Sequence, residues 1–301
     1  MKTAQIVHNP TSGDGEHSKK DILKFIKQGD YEINYTSTHD LLWEKFMEND
    51  ADVIFLAGGD GTVHKLAAVL LDQKDIVKLP PVYLLPMGTA NNIAKTLQLE
   101  GRNLNGDLRI PEKIINFDHG LIKGIHGIEF FIESVGIGIF PKLIKEMKNE
   151  KELDDPEEKL KHTIHVLQKI VGDFQAEEAE ITIDGEAIRG SYLMVEVMNI
   201  KYIGPNLKVA PHAKPEDGLL DVVLVPVENR EKILNYLEDM AKGKVEDAKV
   251  DQFGKTYKAK KVSLKYKGEN LHVDDDFIED FSGEEIQLET ASGGLKFFSE
   301  K

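Results

Sequence analysis

Short apolar runs alternate with stretches of helical periodicity over the first 118 residues of the chain. The runs predict four strands, at residues 4–7, 32–35, 53–57 and 82–85. Residues at helical spacing lie between them: Ile22, Phe25 and Ile26 in one stretch, then Leu41, Leu42, Lys45 and Phe46 in the next. Alternation of this kind is typical of parallel strands joined by crossover helices. We therefore expect an α/β domain over residues 1–118.

Beyond residue 118 the strand signals follow one another with few helices between them. Asp184-Gly185, between two alternating runs, predicts a hairpin turn. The pattern indicates an antiparallel β domain over residues 119–292, with strands at 121–125, 129–135, 180–183, 192–198, 219–226, 262–267 and 271–273.

Helical periodicity interrupts this β domain twice. One helical insertion is expected at about 141–172 and a second helix at 230–241. The apolar stripe of the insertion consists of Leu160, Ile164, Leu167 and Ile170. A chain of 301 residues is long enough for two domains, and the C-terminal segment 293–301 is left free to rejoin the first.

Composition narrows the class of protein. Hydrophobic residues make up 41% and charged residues 30% of the chain, as in soluble globular proteins. The net charge of −15 argues against nucleic acid as a partner and against general attraction to an anionic membrane, while a local basic patch stays open. The absence of cysteine excludes disulfides and thiolate metal sites. Because no secretory segment and no membrane-spanning apolar run is visible, we expect a cytoplasmic protein.

The pentapeptide Gly58-Gly59-Asp60-Gly61-Thr62 stands where a buried strand turns into a helix. In open α/β sheets, ligands bind at that end of the strands. Glycines let backbone amides approach phosphate closely, and a helix N-terminus adds partial positive charge. A carboxylate among phosphates is repelled unless it holds a metal, a lysine or a hydroxyl proton. The pattern predicts a phosphate-binding turn in which Asp60 has a chemical task.

Two further turns follow strands of the same predicted sheet. Asn9-Pro10-Thr11-Ser12-Gly13 comes after the first strand, and Pro86-Met87-Gly88-Thr89-Ala90-Asn91-Asn92 after the fourth. The first is not a Walker A loop, because no Gly-Lys-Ser/Thr follows at the required spacing. Each turn alone is weak evidence, but three at one sheet edge indicate a binding site.

These three motifs together resemble the diacylglycerol kinase catalytic-domain family, in its branch of bacterial soluble lipid kinases related to sphingosine kinases and more distantly to NAD kinases. The Gly-Gly-Asp-Gly-Thr signature alone is shared with NAD kinases and phosphofructokinases. The match continues in order over essentially the whole chain, through the segments 136–138, 199–204, 209–211 and 217–221.

The resemblance implies an α/β plus all-β fold. Its parts are an N-terminal parallel-sheet nucleotide-binding domain and a C-terminal antiparallel β-sandwich, with the active site in the cleft between the domains. Asp60 would face the γ-phosphate and help to place magnesium or the acceptor hydroxyl. The residues implied to contact ATP are Asn9, Pro10, Ser12, Thr36, Gly58, Gly59, Asp60, Gly61, Thr62, Val63, His64, Lys65, Gly88, Thr89 and Asn91.

The resemblance also implies a Mg²⁺ ion at an Asp-Gly-Leu turn, held by Asp217 with the backbones of Lys214 and Leu219. Ligation by oxygen alone suits Mg²⁺. Without the family, Asp217 would be interpreted as part of an ordinary turn.

The family's catalytic base, a glutamate in an Asp-Gly-Glu turn, matches Asp276 of Asp274-Asp275-Asp276 here. The side chain of Asp276 is one methylene shorter than that glutamate. It would act as general base from within hydrogen-bonding range of the acceptor hydroxyl. A true Asp184-Gly185-Glu186 occurs in the predicted hairpin, where we interpret it as structural.

Two other positions depart from the family pattern. His64-Lys65 stands for the usual Asn-Glu, and Asn91-Asn92 for Asn-Asp. These changes leave ATP binding in place and put the identity of the acceptor in question.

The implied function is ATP-dependent phosphorylation of a lipid hydroxyl, with diacylglycerol as the default acceptor and Mg²⁺ as cofactor. The expected partners are ATP and a lipid at the inner membrane face, reached by peripheral contact, with the helical segment 141–172 as one candidate lip. A homodimer is left open. The alternatives are a kinase of a soluble alcohol or of NAD, and a nucleotide-binding protein that has lost catalysis.

Overall fold

The computed structural model describes the chain except for residues 14–16, 49, 74–78, 101–103, 105, 149–155, 205, 244–249, 280, 282, 284 and 301. It divides into two compact units. The first unit comprises Met1–Phe117 and Gly293–Lys301, and the second comprises Asp118–Ser292.

The first unit contains a parallel sheet, as the strand and helix alternation predicts. Its strands are β1 (Lys2–His8), β2 (Tyr31–Ser37), β3 (Val53–Gly58) and β4 (Val82–Pro86). They lie in the order β2-β1-β3-β4, and each neighbouring pair is parallel. The C-terminal strand, which runs over Glu285–Ser299, adds Phe297 in parallel beside Val82. The predicted sheet is therefore confirmed.

The helices of this unit are α1 (Lys19–Ile26), α2 (Asp60–Leu71) and α3 (Asn92–Thr96), with a short 3₁₀ helix at Lys27–Gly29. Ser18 and Asp21 form a capping box that begins α1. The three apolar residues that predicted this helix, Ile22, Phe25 and Ile26, are all buried.

The helix predicted from Leu41, Leu42, Lys45 and Phe46 is confirmed only in part, because it begins at Trp43. Before it, Asp40 Oδ2 accepts the amide of Ser37 at 2.8 Å and closes a turn. Leu42 then takes a positive φ of 61°, and only a 3₁₀ helix forms, at Trp43–Glu48. Leu41 is 93% exposed and Leu42 56%, so only Phe46 of the three enters the core. A polar turn interrupts the pattern, which the apolar spacing alone does not reveal.

In its described residues, the second unit is built from antiparallel strands and three α-helices. The helices are α4 (Ile139–Met147), α5 (Pro156–Asp173) and α6 (Arg230–Ala241), with 3₁₀ turns at Val227–Asn229 and Val250–Gln252. The further strands in chain order are β5 (Lys113–Lys123, which begins in the first unit), β6 (Phe130–Phe131), β7 (Ser134–Gly138), β8 (Glu177–Ile183), β9 (Glu186–Met198), β10 (Tyr202–Ile203), β11 (Leu207–Lys208), β12 (Leu220–Pro226), β13 (Lys255–Ala259), β14 (Lys261–Tyr266), β15 (Leu271–Val273), β16 (Asp276–Phe277) and β17 (Glu285–Ser299).

The long strand β9 organises this unit. Its first half pairs with β8, and its second half lies between β7 and β12. Residues of β9 enter two apolar clusters, one shared with α4, α5 and α6 and the other with β8, β14 and β15. Ile164, Leu167 and Ile170 of the predicted stripe are buried in the first cluster. The helical insertion is thus confirmed as α4 and α5; residues 149–155 lie outside the described part of the chain.

The predicted hairpin at Asp184-Gly185 is confirmed. Both residues have positive φ, 46° and 98°, and they join β8 to β9. Asp184 accepts the amides of Lys260 and Lys261, which agrees with the structural interpretation of this Asp-Gly-Glu sequence. Within the described residues, none of the helices has both the length and the apolarity to cross a bilayer.

Candidate functional site

Three glycine-bearing turns of the first unit meet at one edge of its sheet. His8 lies beside Ala57 in the register, and Gly58 lies beside Pro86. Since the strands are parallel, β1, β3 and β4 end side by side, and the turn after each begins at the same level. The predicted arrangement of the three turns is confirmed.

The turns contact one another through their backbones. A Cβ placed on Gly59 would lie 2.9 Å from Gly88 Cα, and one on Gly88 would lie 2.6 Å from Gly59 Cα. Gly13 has φ 61°, and its Cβ would lie 2.5 Å from the carbonyl oxygen of Met87. Only glycine fits at these positions, because any side chain would push two turns apart.

Asp60 joins two of the turns. Its Oδ2 accepts the amide of Asn92 at 2.8 Å, and its Oδ1 accepts the amide of Ile93 at 3.0 Å. The carboxylate is 6% exposed. Asp60 stands in the first turn of α2 and also caps the start of α3, where a negative charge is favourable. Its buried negative charge is therefore stabilised without a ligand.

Polar side chains hold the turns in shape. Asn9 Nδ2 donates to Thr62 Oγ1 at 3.0 Å, and Ser12 Oγ lies 3.4 Å from the same hydroxyl. Asn91, in the left-handed region at φ 53°, accepts the amide of Gly88 with its Oδ1 at 2.9 Å. These predicted ATP contacts thus build the turns, which makes backbone amides the groups best suited to bind phosphate.

Gly61 differs from the other glycines of the motif. A Cβ placed on it meets no other atom within 4 Å, so space is open beside the first turn of α2. Gly58, by contrast, is packed against Thr62.

The other residues implied to contact ATP are distributed around this edge. Thr36 lies on β2 and accepts a hydrogen bond from Gln5 Nε2 at 3.0 Å. Val63 is buried in the core, which directs its side chain away from solvent. Of the remainder, Pro10, Lys65 and Thr89 are exposed and His64 is half-buried.

In the second unit, an acidic hairpin turn joins β15 to β16. Val273 lies opposite Asp276, so Asp274 and Asp275 form a two-residue turn, with Asp274 at φ 49°. The buried Asp274 carboxylate accepts the amides of Glu133 at 2.8 Å, Ser134 at 3.1 Å and Ile132 at 3.2 Å. This residue anchors the turn to segment 132–134.

The anchor brings two carboxylates together. An oxygen of Glu133 and an oxygen of Asp275 lie within 4.8 Å of each other. Glu133 is buried and Asp275 is exposed, and Asp276 is exposed beside them on β16. Glu133 carries no local sequence signal, and neither it nor Asp275, which lies within the acidic motif, is among the predicted site residues.

Glu196 and His272 form a buried hydrogen-bonded pair, and His272 contacts this turn. His272 Nε2 is 3.0 Å from Glu196 Oε2, and His272 Nδ1 is 2.7 Å from the carbonyl oxygen of Asp274. Burial raises the pKa of Glu196. For His272 burial favours the neutral ring, but the Glu196 carboxylate outweighs it and raises the pKa. No motif in the sequence indicated this pair.

The residues implied to hold Mg²⁺ lie in one turn of the second unit. Asp217 Oδ1 accepts the amide of Leu219 at 3.0 Å, and the amide of Asp217 donates to the carbonyl of Lys214 at 3.2 Å. The oxygen donors of this turn fit a hard cation chemically.

A lysine ammonium already contacts this carboxylate. Lys258 Nζ lies 2.8 Å from Asp217 Oδ2 and 3.0 Å from Asp221 Oδ2. Burial disfavours the charge of Lys258, but hydrogen bonds to both aspartates outweigh it and raise its pKa. Burial raises the pKa of Asp221. An ion at Asp217 would therefore compete with Lys258.

Two family models match the chain, each over a different segment. The diacylglycerol kinase catalytic domain matches residues 3–120. The YegS C-terminal NAD kinase beta sandwich-like domain matches residues 142–277.

Among curated proteins, the chain is similar to a diacylglycerol kinase of Mycobacterium tuberculosis (strain CDC 1551 / Oshkosh). The two are 26% identical over 279 residues, which cover 89% of this chain and 87% of that protein. A diacylglycerol kinase of Bacillus subtilis (strain 168) is 26% identical over 252 residues, 76% of this chain and 75% of that protein.

Solved structures show the same fold. A diacylglycerol kinase from Bacillus anthracis str. Sterne has a TM-score of 0.69 at 17% identity, covering 99% of this chain and 97% of that one. Another chain from that organism has a TM-score of 0.74 at 20% identity, covering 99% and 95%. The diacylglycerol kinase catalytic domain, a phosphotransferase domain, and the β-sandwich domain are thus matched in order along the chain, which is similar in sequence and in fold to diacylglycerol kinases.

Proposed function

We propose that this protein transfers the γ-phosphoryl group of ATP to the hydroxyl of a lipid, with diacylglycerol as the default acceptor. The observation that carries the proposal is the backbone contact of Gly59 with Gly88 beside the open space at Gly61, a surface suited to phosphate. Relatives named diacylglycerol kinase support the choice of acceptor.

The first unit binds the nucleotide in this proposal. The amides of residues 59–61 at the N-terminus of α2 bind the phosphates, since the helix dipole and backbone amides favour anions. Asp60 holds α3 and so fixes the second turn against the first. Thr36, Thr89 and Lys65 are further proposed contacts.

The second unit supplies the base. A carboxylate of the acidic turn accepts the proton of the acceptor hydroxyl. The new O–P bond forms as the bond from the γ-phosphorus to the ADP oxygen breaks. Asp276 is the proposed base, and Asp275, whose carboxylate lies within 4.8 Å of an oxygen of Glu133, is a second candidate.

Magnesium is proposed as cofactor. Asp217, with the carbonyls of Lys214 and Leu219, would hold one ion, which would supply a fixed positive charge at this turn. Oxygen donors support this, and Lys258 is the competing cation.

Incubation of the protein with γ-labelled ATP and a mixed lipid extract tests the proposal. Label in the organic phase that is lost in Asp60→Asn and in either Asp275→Asn or Asp276→Asn supports a lipid kinase. Glu186→Gln is the matched control, because Glu186 is exposed in the other Asp-Gly-Glu sequence, and it should keep full activity. Label confined to the aqueous phase favours a soluble acceptor such as NAD. ATP binding without turnover favours a protein that has lost catalysis, and both of these outcomes overturn the proposal.

A further inference from the structure

Three residues lie side by side on three neighbouring strands of the second unit. His272 of β15 is opposite Gly136 of β7, and Gly136 is opposite Glu196 of β9. Residues in register on adjacent strands point to the same face of the sheet. A Cβ on Gly136 would clash with Glu196 Oε2. The missing side chain at Gly136 therefore leaves the space in which Glu196 reaches across to His272.

The hydrogen bonds of His272 define where its proton lies. The carbonyl oxygen of Asp274 can only accept, so Nδ1, 2.7 Å away, is the nitrogen that carries hydrogen. Nε2 then faces the Glu196 carboxyl group and shares a proton with it. Both side chains are 0% exposed. A buried ionisable pair loses hydration that an apolar pair of similar size would not lose, so stability alone gives little reason for it.

The chain of contacts ends at the acidic turn. Three groups of Asp274 are hydrogen-bonded. Its carbonyl oxygen accepts from His272, and its amide donates to the carbonyl oxygen of Ser134 at 2.8 Å. Its carboxylate accepts the amides of segment 132–134. Asp274 is thus fixed at its amide, carbonyl and side chain in the left-handed conformation that begins the turn. The next residue is Asp275, the carboxylate near Glu133.

Asn199 makes two further hydrogen bonds to segment 132–134. The amide of Asn199 donates to the carbonyl of Glu133 at 2.8 Å, and Asn199 Nδ2 donates to the carbonyl of Ile132 at 2.9 Å. Asn199 follows β9, the strand that carries Glu196. The backbone of Glu133 is therefore restrained by two independent sets of hydrogen bonds.

We propose that Glu196 and His272, in the space left by Gly136, are positioning residues that set the separation of the Glu133 and Asp275 carboxylates through the backbone of Asp274. The inference rests on the proposed function, because it assigns the acidic turn to the transfer reaction. The bond from Nδ1 to the Asp274 carbonyl is the link through which the pair acts.

Two amide substitutions of His272 separate this role from mere packing. His272→Asn places an amide nitrogen near the position of Nδ1, where it can donate to the Asp274 carbonyl. His272→Gln places its amide near Nε2, where it contacts Glu196 and leaves the Asp274 carbonyl without this donor. We expect kcat to fall about 100-fold in the Gln variant and much less in the Asn variant, with KM for ATP unchanged in both. Equal losses of kcat, or losses that follow the melting temperature, would overturn the proposal.

Hydrogen exchange gives a readout that does not need activity. The amides of Ile132, Glu133 and Ser134 should exchange faster in the Gln variant than in the Asn variant and the parent protein. If the parent protein has no kinase activity, the proposed function fails. The exchange rates of the two variants still test whether the hydrogen bond from His272 Nδ1 to the Asp274 carbonyl restrains segment 132–134. Unchanged exchange in the Gln variant overturns the positioning role.

A second pair of variants covers the case in which His272→Gln does not fold. Glu196→Gln keeps a partner for Nε2 and should keep kcat, whereas Glu196→Leu removes it and should lose kcat and protection together. If Glu196→Leu kept both its kcat and its protection from hydrogen exchange, the proposal would be overturned.

Discussion

Gly59 and Gly88 approach each other so closely that neither can carry a Cβ, which joins the turns after β3 and β4 through bare backbone. We expect Gly59→Ala to destabilise the protein by about 1–3 kcal/mol, because the added methyl group must push backbone atoms apart. Urea unfolding measures the loss. Gly172→Ala, where an added Cβ meets no atom within 4 Å, is the control and should show none of it. Equal effects of the two substitutions would contradict the packing argument.

Gly61→Ala separates binding from stability. The added methyl group meets no other atom, and alanine favours the helical conformation by up to about 1 kcal/mol, so the variant should be at least as stable as the parent. The same methyl group enters the space proposed for phosphate. We therefore expect an unchanged or higher melting temperature with weaker ATP binding in titration calorimetry. Full ATP affinity would place the phosphates elsewhere.

Asp60→Asn tests the hydrogen bonds that join the first turn of α2 to the start of α3. Asparagine keeps one oxygen acceptor for the amides of Asn92 and Ile93 but loses the charge, which should cost about 1–3 kcal/mol of folding free energy. Faster hydrogen exchange at those two amides would locate the loss. An equally stable variant with unchanged exchange would show that the carboxylate does not support this turn.

Lys258→Met tests the competition between lysine and Mg²⁺. Asp221 is buried, and its Oδ1 has no hydrogen-bond partner among the described residues, so removal of the ammonium leaves two carboxylates without their cation. The variant should melt at a lower temperature in EDTA and recover in millimolar Mg²⁺. Lys255→Met, an exposed lysine on the same strand, is the control. A Mg²⁺ response no larger than that of the control would argue against an ion at Asp217.

The Glu196–His272 pair predicts a pH dependence of stability. The groups that act on His272 are Glu196 and Asp274, and its pKa is raised above 6.5. The folded state then holds this proton more tightly than the unfolded state, so the stabilisation is complete below pH 6.5 and is lost as the pH rises through the folded-state pKa. The slope for one proton is at most about 1.4 kcal/mol per pH unit.

Glu196→Gln removes the carboxylate that raises this pKa. Urea unfolding between pH 6 and pH 9 should therefore show a shallower decline of the free energy of unfolding in the variant than in the parent protein. Parallel declines would mean that the proton is not shared by this pair.

Local patterns predicted most of the architecture. Strand β3 and the start of α2 follow from an apolar run that ends in glycines, and the hairpin at Asp184-Gly185 follows from its turn residues. The helix predicted over residues 41–46 forms only as a 3₁₀ helix from Trp43, because the hydrogen bond from the Ser37 amide to Asp40 competes with helical hydrogen bonds before it. The sequence also predicted that the three turns share an edge, which follows from parallel strands.

The sequence by itself determined the elements and the glycine turns, because strand period, helix period and glycine conformation are local properties of a chain. Only the tertiary structure decided that Lys258 contacts Asp217, that Glu133 lies near Asp275, and that Glu196 meets His272 across Gly136. Each of these depends on which residues of distant strands face one another, and a shift of one residue in register would turn every side chain to the opposite face. No local pattern carries that information.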